Sequence, residues 1–310
     1  MSAPGSDAPP DALLSTLLGA DVPPEEQPGF DDWWPRWLDA CEVWGAPIDR
    51  AIAAGFDADR VAWAFAAGYQ AALRRLDPTL SVEAVAALCV TEESGRPRDI
   101  LTSLIRDGER WRLRGSKRFV SLADRAAELL VAARTGEADG RPTLKLVRVR
   151  RDDAGVSIAV HPPLPFTPEA NHGSVTLDAT LDADRLYEGD GYTRYVKPFR
   201  SIEDLHVTAA VLAHLLRFGL DRRWPDALLG RLVNQLQAAR ALAALSPADP
   251  ALHIALDGYL SEVTRLVKDA NQQWTDGDGT GERWLRDSPL LTIAQGARER
   301  RTLRAWEAFR

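Results

Sequence analysis

Two segments of the chain place small hydroxyls, an aromatic ring and exposed backbone at the ends of predicted strands. Ala87–Gly95 is an apolar run that reaches Thr91 and then enters an acidic turn. Gly115–Ala123 follows a predicted hairpin and carries Phe119 and Ser121. Flat heteroaromatic ligands are held in apolar pockets that contain a few well-placed polar groups. The two segments therefore predict a site for a ligand of this kind.

The order and spacing of the two segments resemble the middle domain of the acyl-CoA dehydrogenases, which are flavoproteins. Val90 and Thr91 match the end of the corresponding family strand, which runs into a Thr-Glu-Pro-like step. The triplet from Phe119 to Ser121 matches the family's aromatic, aliphatic and hydroxyl residues. The resemblance covers residues 85–180. It implies that Val90, Thr91, Phe119 and Ser121 contact the isoalloxazine ring of FAD.

The turn that follows the first motif differs from the family pattern. The run from Thr91 to Asp99 is one residue longer, and Arg98 stands where the family has a small hydroxyl. In the family this turn meets the flavin and the acyl thioester. The resemblance therefore implies an acyl thioester substrate, and Arg98 is the candidate substrate-binding residue.

A carboxylate after the barrel is the candidate general base. The family abstracts a proton next to the thioester carbonyl with a glutamate, and some members place it on the first helix after the barrel. Glu203 occupies the matching position, and Asp204 replaces the family's arginine. Burial would raise the pKa of such a base toward neutral pH. Alternatively, the two acids begin a helix capped by Ser201 and favour its positive end.

A di-iron site is a weaker alternative for the same residues. Glu203 and His206 form a Glu-x-x-His half-motif, and His214 lies on the same helix. A second Glu-x-x-His, at Glu169 and His172, is predicted to lie on a loop or strand entry. Two further carboxylates on facing helices are not evident in the sequence. We therefore predict no metal site.

The sequence leaves two functions open. The first is a flavin-dependent enzyme that dehydrogenates an acyl thioester. The second is a catalytically inactive relative that acts as a binding or assembly partner. The second is motivated by short termini, by Arg98 and by the cofactor motif: Arg217 directly precedes Phe218-Gly219, whereas the family's pyrophosphate-binding arginine precedes Phe-Gly by two residues. The chain also has no Gly-x-Gly-x-x-Gly fingerprint and no P-loop.

The amino-acid composition limits which partners the protein can bind and where in the cell it is expected. The net charge of -7 gives no basic footprint, so nucleic acid is not expected as a partner. Cys41 and Cys89 are isolated, and neither a zinc site nor a disulfide framework is predicted. No apolar run is long enough for a membrane span, and residues 1–10 do not resemble a signal peptide. We expect a cytoplasmic protein that assembles with a second copy or with a paralogous subunit.

Hydrophobic periodicity predicts helices, then strands, then helices. Helices are predicted at Asp11–Leu18, from Asp31 onward, at Ala58–Leu76 with Asp57 as the cap, at Ile202–Gly219, Pro225–Leu245, Ala251–Gln272 and Leu290–Phe309. Strands are predicted at Ala86–Val90, Ile100–Arg106, Trp111–Arg114, Arg118–Ser121, Leu129–Ala133, Thr143–Val149, Val156–Val160 and Val175–Leu177. Turns are predicted at Asp107-Gly108 and at Arg114–Ser116. The segregated order indicates an α+β fold rather than a parallel doubly wound sheet.

The same pattern divides the chain into four segments. Residues 1–28 are expected to be a loose tail, and residues 29–84 a short N-terminal helical region. Residues 85–187 are expected to form an antiparallel β-barrel domain, because short strands joined by tight turns are typical of small barrels. Residues 188–310 are expected to form a C-terminal helical bundle.

Overall fold

The computed structural model describes residues 12–20, 25–95, 99–275, 277, 279–293 and 295–310. Contacts between these residues divide the chain into two compact units. The helical unit contains the described residues up to Arg75 together with Pro165–Glu169 and Ser201–Arg310. The β unit contains Leu76–Leu164 and Ala170–Arg200. Arg98, the candidate substrate-binding residue, lies outside the described residues.

The β unit is built on one mixed sheet. Its strands are β1 (Ala86–Cys89), β2 (Ser103–Asp107), β3 (Arg110–Ser121), β4 (Glu128–Ala138), β5 (Arg141–Arg150), β6 (Val156–Val160) and β7 (His172–Leu181). The order is β1-β4-β2-β3-β7-β6, and β5 pairs with β4. Most pairs are antiparallel, as expected for the predicted barrel. However, β4 is parallel to both β1 and β2.

One predicted turn is instead the middle of a long strand. The pattern placed a turn at Arg114–Ser116, but β3 runs through it without a break. Gly115 has a φ of +151°, and a Cβ there would lie 2.6 Å from Thr102 Cα. A glycine is therefore needed because the chain before β2 crosses β3 at this point.

Alternation along the strands builds the core of the β unit. In β7, for example, Val175, Leu177, Ala179 and Leu181 are buried, and the residues between them point outward. The buried cluster comprises Ala87, Cys89, Leu104, Leu113, Val120, Ala123, Ala126, Leu129, Val131, Ala133, Val147, Val149, Val175, Leu177, Ala179 and Leu181. This period of two lets one face of each strand carry the core and leaves the other face free for polar residues.

The remaining elements are helices. They are α1 (Ala12–Leu18), α2 (Phe30–Val43), α3 (Pro47–Phe56), α4 (Val61–Leu76), α5 (Lys197–Asp221), α6 (Asp226–Ala243), α7 (Pro250–Ala270), α8 (Gly279–Asp287) and α9 (Gln295–Glu307). A π-helical turn over Tyr192–Val196 precedes α5, and a 3₁₀ turn over Ser288–Thr292 precedes α9. None of the helices in the described part of the chain is long and apolar enough to cross a membrane.

Several helix boundaries differ from the prediction. Asp57 does not cap α4: it follows α3 as its C-terminal residue, and α4 begins only at Val61. Helix α8 was not predicted from the sequence pattern. Its Trp284 is buried and donates its Nε1–H to Asn271 Oδ1 at 2.6 Å. The single predicted helix over Leu290–Phe309 is a 3₁₀ turn followed by the shorter α9.

Helix α5 lies in the interior of the helical unit. Its residues 205–219 are all buried. At Gly68 in α4, an added Cβ would lie 2.4 Å from Val207 Cα, so the backbones of α4 and α5 are in direct contact. The described residues before α2 also pack: Leu13 is fully buried, and the Gln27 backbone N–H donates to Asp59 Oδ2 at 3.0 Å.

Candidate ligand-binding site

The end of β3 contains a bulge that turns Phe119 outward. Arg118 pairs with Ser174 and Val120 pairs with Gly173, so Phe119 is an extra residue in β3. Its φ is +57°, and the residue is 61% exposed. Val120, in contrast, is completely buried. The bulge therefore directs the smaller aliphatic residue into the core and leaves the aromatic ring at the surface.

This conformation is unusual for a bulky residue. A left-handed backbone at a non-glycine residue costs on the order of 1–3 kcal/mol and persists only where the surrounding structure imposes it. The core packing of Val120 and the pairing of the next residue, Ser121, with His172 impose it here. An exposed aromatic ring held by a strained backbone is a surface on which a flat ligand can pack.

The first motif lies beside this bulge. The backbone N–H of Arg118 donates to the carbonyl oxygen of Thr91 at 2.8 Å, so the exit of β1 is joined to the end of β3. Val90, Thr91 and Ser121 are all half-buried. The structure thus places Val90 and Thr91 alongside the strand end that carries Phe119 and Ser121. What these residues bind stays a prediction.

A buried ion pair joins the two motifs. Lys117 is completely buried, and its Nζ donates to Glu92 Oε1 at 2.7 Å and to Val90 O at 3.3 Å. The Glu92 carboxylate also accepts the backbone N–H groups of Leu101 at 2.8 Å and Thr102 at 3.0 Å. One lysine and one glutamate therefore connect the exit of β1, the chain before β2 and the middle of β3.

Burial acts on both pKa values of this pair. Burial raises the pKa of Glu92, but hydrogen bonds from Lys117, Leu101 and Thr102 outweigh it and bring that pKa below its usual value. Burial lowers the pKa of Lys117, and the bond to Glu92 opposes the shift only in part. Three donors hold the Glu92 carboxylate in its charged form, so Lys117 and Glu92 are an ion pair.

A cleft opens beside Glu92 in the β unit. Its volume is about 720 Å³. It is lined by Glu92, Glu93, Ser94, Asp99, Leu101, Thr102, Gly115, Ser116 and Arg134. The described part of the turn after Thr91 thus forms one side of a concave surface.

The two adjacent acids on α5 have different environments. The helix begins at Lys197, so Glu203 lies in its second turn, and Ser201 is not the helix cap as the alternative reading expected. Asp204 is paired with Arg298 Nη2 at 2.9 Å and with Arg301 Nη2 at 2.7 Å, both on α9. Asp204 therefore fixes α9 to α5, whereas Glu203 is half-buried.

The histidines of α5 serve the core. His206 Nδ1 lies 2.8 Å from Ile202 O, and His214 Nδ1 lies 2.9 Å from Ala58 O. Burial lowers the pKa of each ring to about 4. In the described part of the chain, no group of three or more His, Cys, Asp or Glu residues could hold a metal ion.

The second Glu-x-x-His does not lie on a helix. Glu169 belongs to the loop before β7, where it is paired with Arg60 at 3.5 Å and Arg286 at 3.3 Å. His172 is the first residue of β7. Arg217 is also structural, because it is 7% exposed and its guanidinium lies 4.7 Å from the centre of the Phe56 ring.

Sequence reasoning missed the pairing of Lys117 with Glu92. The signal was present, because Lys117 lies at an inward-facing position of a strand, two residues after Gly115 and four after buried Leu113. A lysine in such a position requires a buried partner.

Comparison with known proteins identifies the fold. No family model and no curated protein sequence matches the chain. Butyryl-CoA dehydrogenase from Megasphaera elsdenii is 15% identical with a TM-score of 0.66, over 84% of this chain and 82% of that protein. Glutaryl-CoA dehydrogenase from Mycobacterium smegmatis is also 15% identical with a TM-score of 0.66, over 96% and 92%.

The fold also matches a solved structure whose name includes a bound flavin and no acyl-CoA dehydrogenase. FMN-bound TdsC from Paenibacillus sp. A11-2 is 15% identical with a TM-score of 0.66, over 90% of this chain and 89% of that protein. Identities this low establish the fold and nothing finer. The chain therefore has the fold of the acyl-CoA dehydrogenases, which confirms the fold that its two barrel motifs predict.

Proposed function

We propose that this chain is a flavin-dependent oxidoreductase that dehydrogenates an acyl thioester between its α and β carbons. The observation that supports it best is Phe119, an aromatic residue held outward by a left-handed backbone beside Ser121 and Thr91. The names of two proteins with the same fold, butyryl-CoA and glutaryl-CoA dehydrogenase, favour an acyl-CoA substrate. The FMN in a third favours a flavin.

The residues at the end of β3 fit a flavin. Phe119 offers a ring face, Ser121 offers a hydroxyl, and Thr91 offers a hydroxyl at the neighbouring strand exit. Val90 contributes apolar surface next to them. In this proposal these four residues hold the ring system of FAD, and Arg98 contacts the substrate.

The proposed chemistry divides between a base and the cofactor. Glu203 takes the proton from the α carbon of the acyl thioester. A bound flavin supplies the acceptor for the hydride that leaves the β carbon. Asp204 is poorly suited as the base, because its Oδ1 is paired with Arg298 and its Oδ2 with Arg301. We expect a cytoplasmic enzyme that assembles with a second copy or a paralogous subunit.

The first test is flavin binding by the purified chain. Its visible spectrum is recorded as isolated and after addition of FAD or FMN, and the released cofactor is identified by chromatography. Phe119→Ala is expected to weaken flavin binding at least tenfold. Ile105→Ala is the matched control, because Ile105 is 63% exposed on β2 and lies outside the proposed site. A wild-type protein that is colourless and takes up neither flavin refutes the proposal.

The second test is dehydrogenation of acyl-CoA esters with an artificial electron acceptor. Glu203→Gln is expected to abolish turnover while flavin binding persists. Glu282→Gln on α8 is the control, since its carboxylate is exposed and also helical. Full activity in Glu203→Gln would show that another group is the base. Flavin binding without turnover of any acyl-CoA would refute the proposed substrate class.

A further inference from the structure

Two histidines and a serine continue the polar end of β3 across the sheet. His172 is paired with Ser121, and Ser174 is paired with Arg118, so both lie on the outer face of β7. His161 follows β6, and its backbone N–H donates to His172 O at 2.8 Å. The side chains of His161, His172 and Ser174 therefore form one row with Ser121 on the outer face.

This row is ordered by its own contacts. His161 Nε2 lies 3.1 Å from Ser174 Oγ, within hydrogen-bond distance. His161, His172 and Ser174 are all half-buried, so each keeps part of its surface available to a ligand. Gly173, between the two outward residues of β7, is buried and packs against the carbonyl of Ala159. The backbone beneath the row is therefore closely packed.

The row is wide enough for a fused ring system. Neighbouring strands are separated by about 4.8 Å, so the three steps from the exit of β1 through β3 and β7 to β6 span about 14 Å. Thr91 lies at one end of this span and His161 at the other. The motifs that the sequence revealed cover only the first of the three steps. A tricyclic ligand that packs on Phe119 extends beyond them.

The hydrogen-bonding groups of the row suit a ligand whose edge is polar and uncharged. Burial and the nearby His161 lower the pKa of His172 and outweigh its backbone hydrogen bond with Ala170, so the neutral ring is favoured. A neutral imidazole has one donor and one acceptor, and a serine hydroxyl can act as either. Arg118, which is paired with Ser174 across the two strands, lies 3.5 Å from Glu93. Such a row is matched to alternating carbonyl and N–H groups rather than to a phosphate.

We propose that His161, His172 and Ser174 extend the ligand-facing wall and hydrogen-bond the polar edge of the flavin ring. This inference rests on the proposed function, because it requires that the ring packs on Phe119. It assigns the three residues a positioning role that neither motif indicates. The pattern of donors and acceptors along the row then selects how the ring lies on the sheet.

The test compares three ligands that share one ring. Dissociation constants of lumiflavin, FMN and FAD are measured for the full chain and for His172→Gln, His161→Ala and Thr180→Ala. Loss of one or two hydrogen bonds is expected to weaken binding about tenfold for all three ligands in both histidine variants. Thr180→Ala is the control, because Thr180 is exposed on the same strand and face, about 27 Å from His172.

The outcomes separate this inference from the function on which it rests. If the wild type binds none of the three ligands, both proposals fail. If the wild type binds and the histidine variants bind as tightly as Thr180→Ala, only the inference fails. A loss confined to FMN and FAD overturns it in favour of a phosphate subsite. A shift of the visible bands of bound lumiflavin in both histidine variants, with unchanged melting temperature, distinguishes direct contact from loss of folding.

Discussion

Replacement of Lys117 tests whether the buried ion pair holds the two motifs together. Lys117 is completely buried, and the Glu92 side chain is 11% exposed. Lys117→Met leaves the carboxylate in place with only its two backbone donors, so a charge remains buried without its counter-ion. Removing one partner of a buried ion pair typically costs about 3–5 kcal/mol. We therefore expect Lys117→Met to lower the free energy of unfolding of the β unit by this amount.

The matched control is an exposed ion pair on the same strand. Arg112 and Asp178 are paired at 2.7 Å, but their side chains are 51% and 50% exposed. Exposed pairs contribute about 0.2–1 kcal/mol, so Arg112→Met is expected to have at most that effect. The variant Lys117→Met with Glu92→Gln should recover part of the loss, because no charge is then left uncompensated.

The assay must report on the β unit alone, since a chain with two units need not unfold in one step. Amide hydrogen exchange at Leu101 and Thr102 is suited to this, because both N–H groups donate to Glu92. In Lys117→Met these amides should exchange faster by a factor that matches the loss in free energy. Equal effects of Lys117→Met and Arg112→Met would refute the reasoning, because burial would then make no difference.

Three further predictions concern the same elements. Gly115→Ala should destabilise the β unit by more than about 1 kcal/mol in denaturant titrations, because the added Cβ would meet Thr102 in a left-handed backbone. The pKa of Glu92 is lower in the folded state than its usual value of 4.5, so the charged carboxylate stabilises the fold. This stabilisation is complete above pH 4.5 and is lost as the pH falls through the lower pKa of the folded state. Acid titrations of unfolding should show this loss in the wild type and not in Glu92→Gln. Asp204→Asn should increase hydrogen exchange in α9, because it removes the carboxylate charge that holds Arg298, and unchanged exchange would contradict that role.

The local hydrophobic pattern was sufficient to predict where most strands of the β unit lie. Each of the seven strands overlaps a predicted one, because the alternation of buried and exposed residues is set by the strand itself. The turn at Arg114–Ser116 was wrong, because Gly115 is required by a neighbouring segment rather than by a turn. Sequence pattern cannot distinguish these two uses of glycine, since close approach depends on a residue outside the strand.

The helical unit shows the same dependence on distant partners. Helix α8 was not predicted, because its glycines and charges give a weak helical pattern while a single tryptophan, Trp284, fixes it in the core. The alternative interpretation of the two acids on α5 makes them the start of a helix. Asp204 instead binds Arg298 and Arg301, which lie nearly a hundred residues later and belong to no recognisable motif with it.

The candidate site shows which part of a site can be predicted from a motif. The identities of Phe119 and Ser121 carry the resemblance, but their presentation depends on a bulge that exists only because β7 pairs on both sides of it. Val120 is the residue that decides the direction, because its complete burial leaves the aromatic ring no place in the core. A substitution that made residue 120 polar would remove this preference and allow the strand to shift register by one residue, which would turn Phe119 inward. The proposed ligand-facing surface is therefore specified as much by one buried valine as by Phe119 and Ser121.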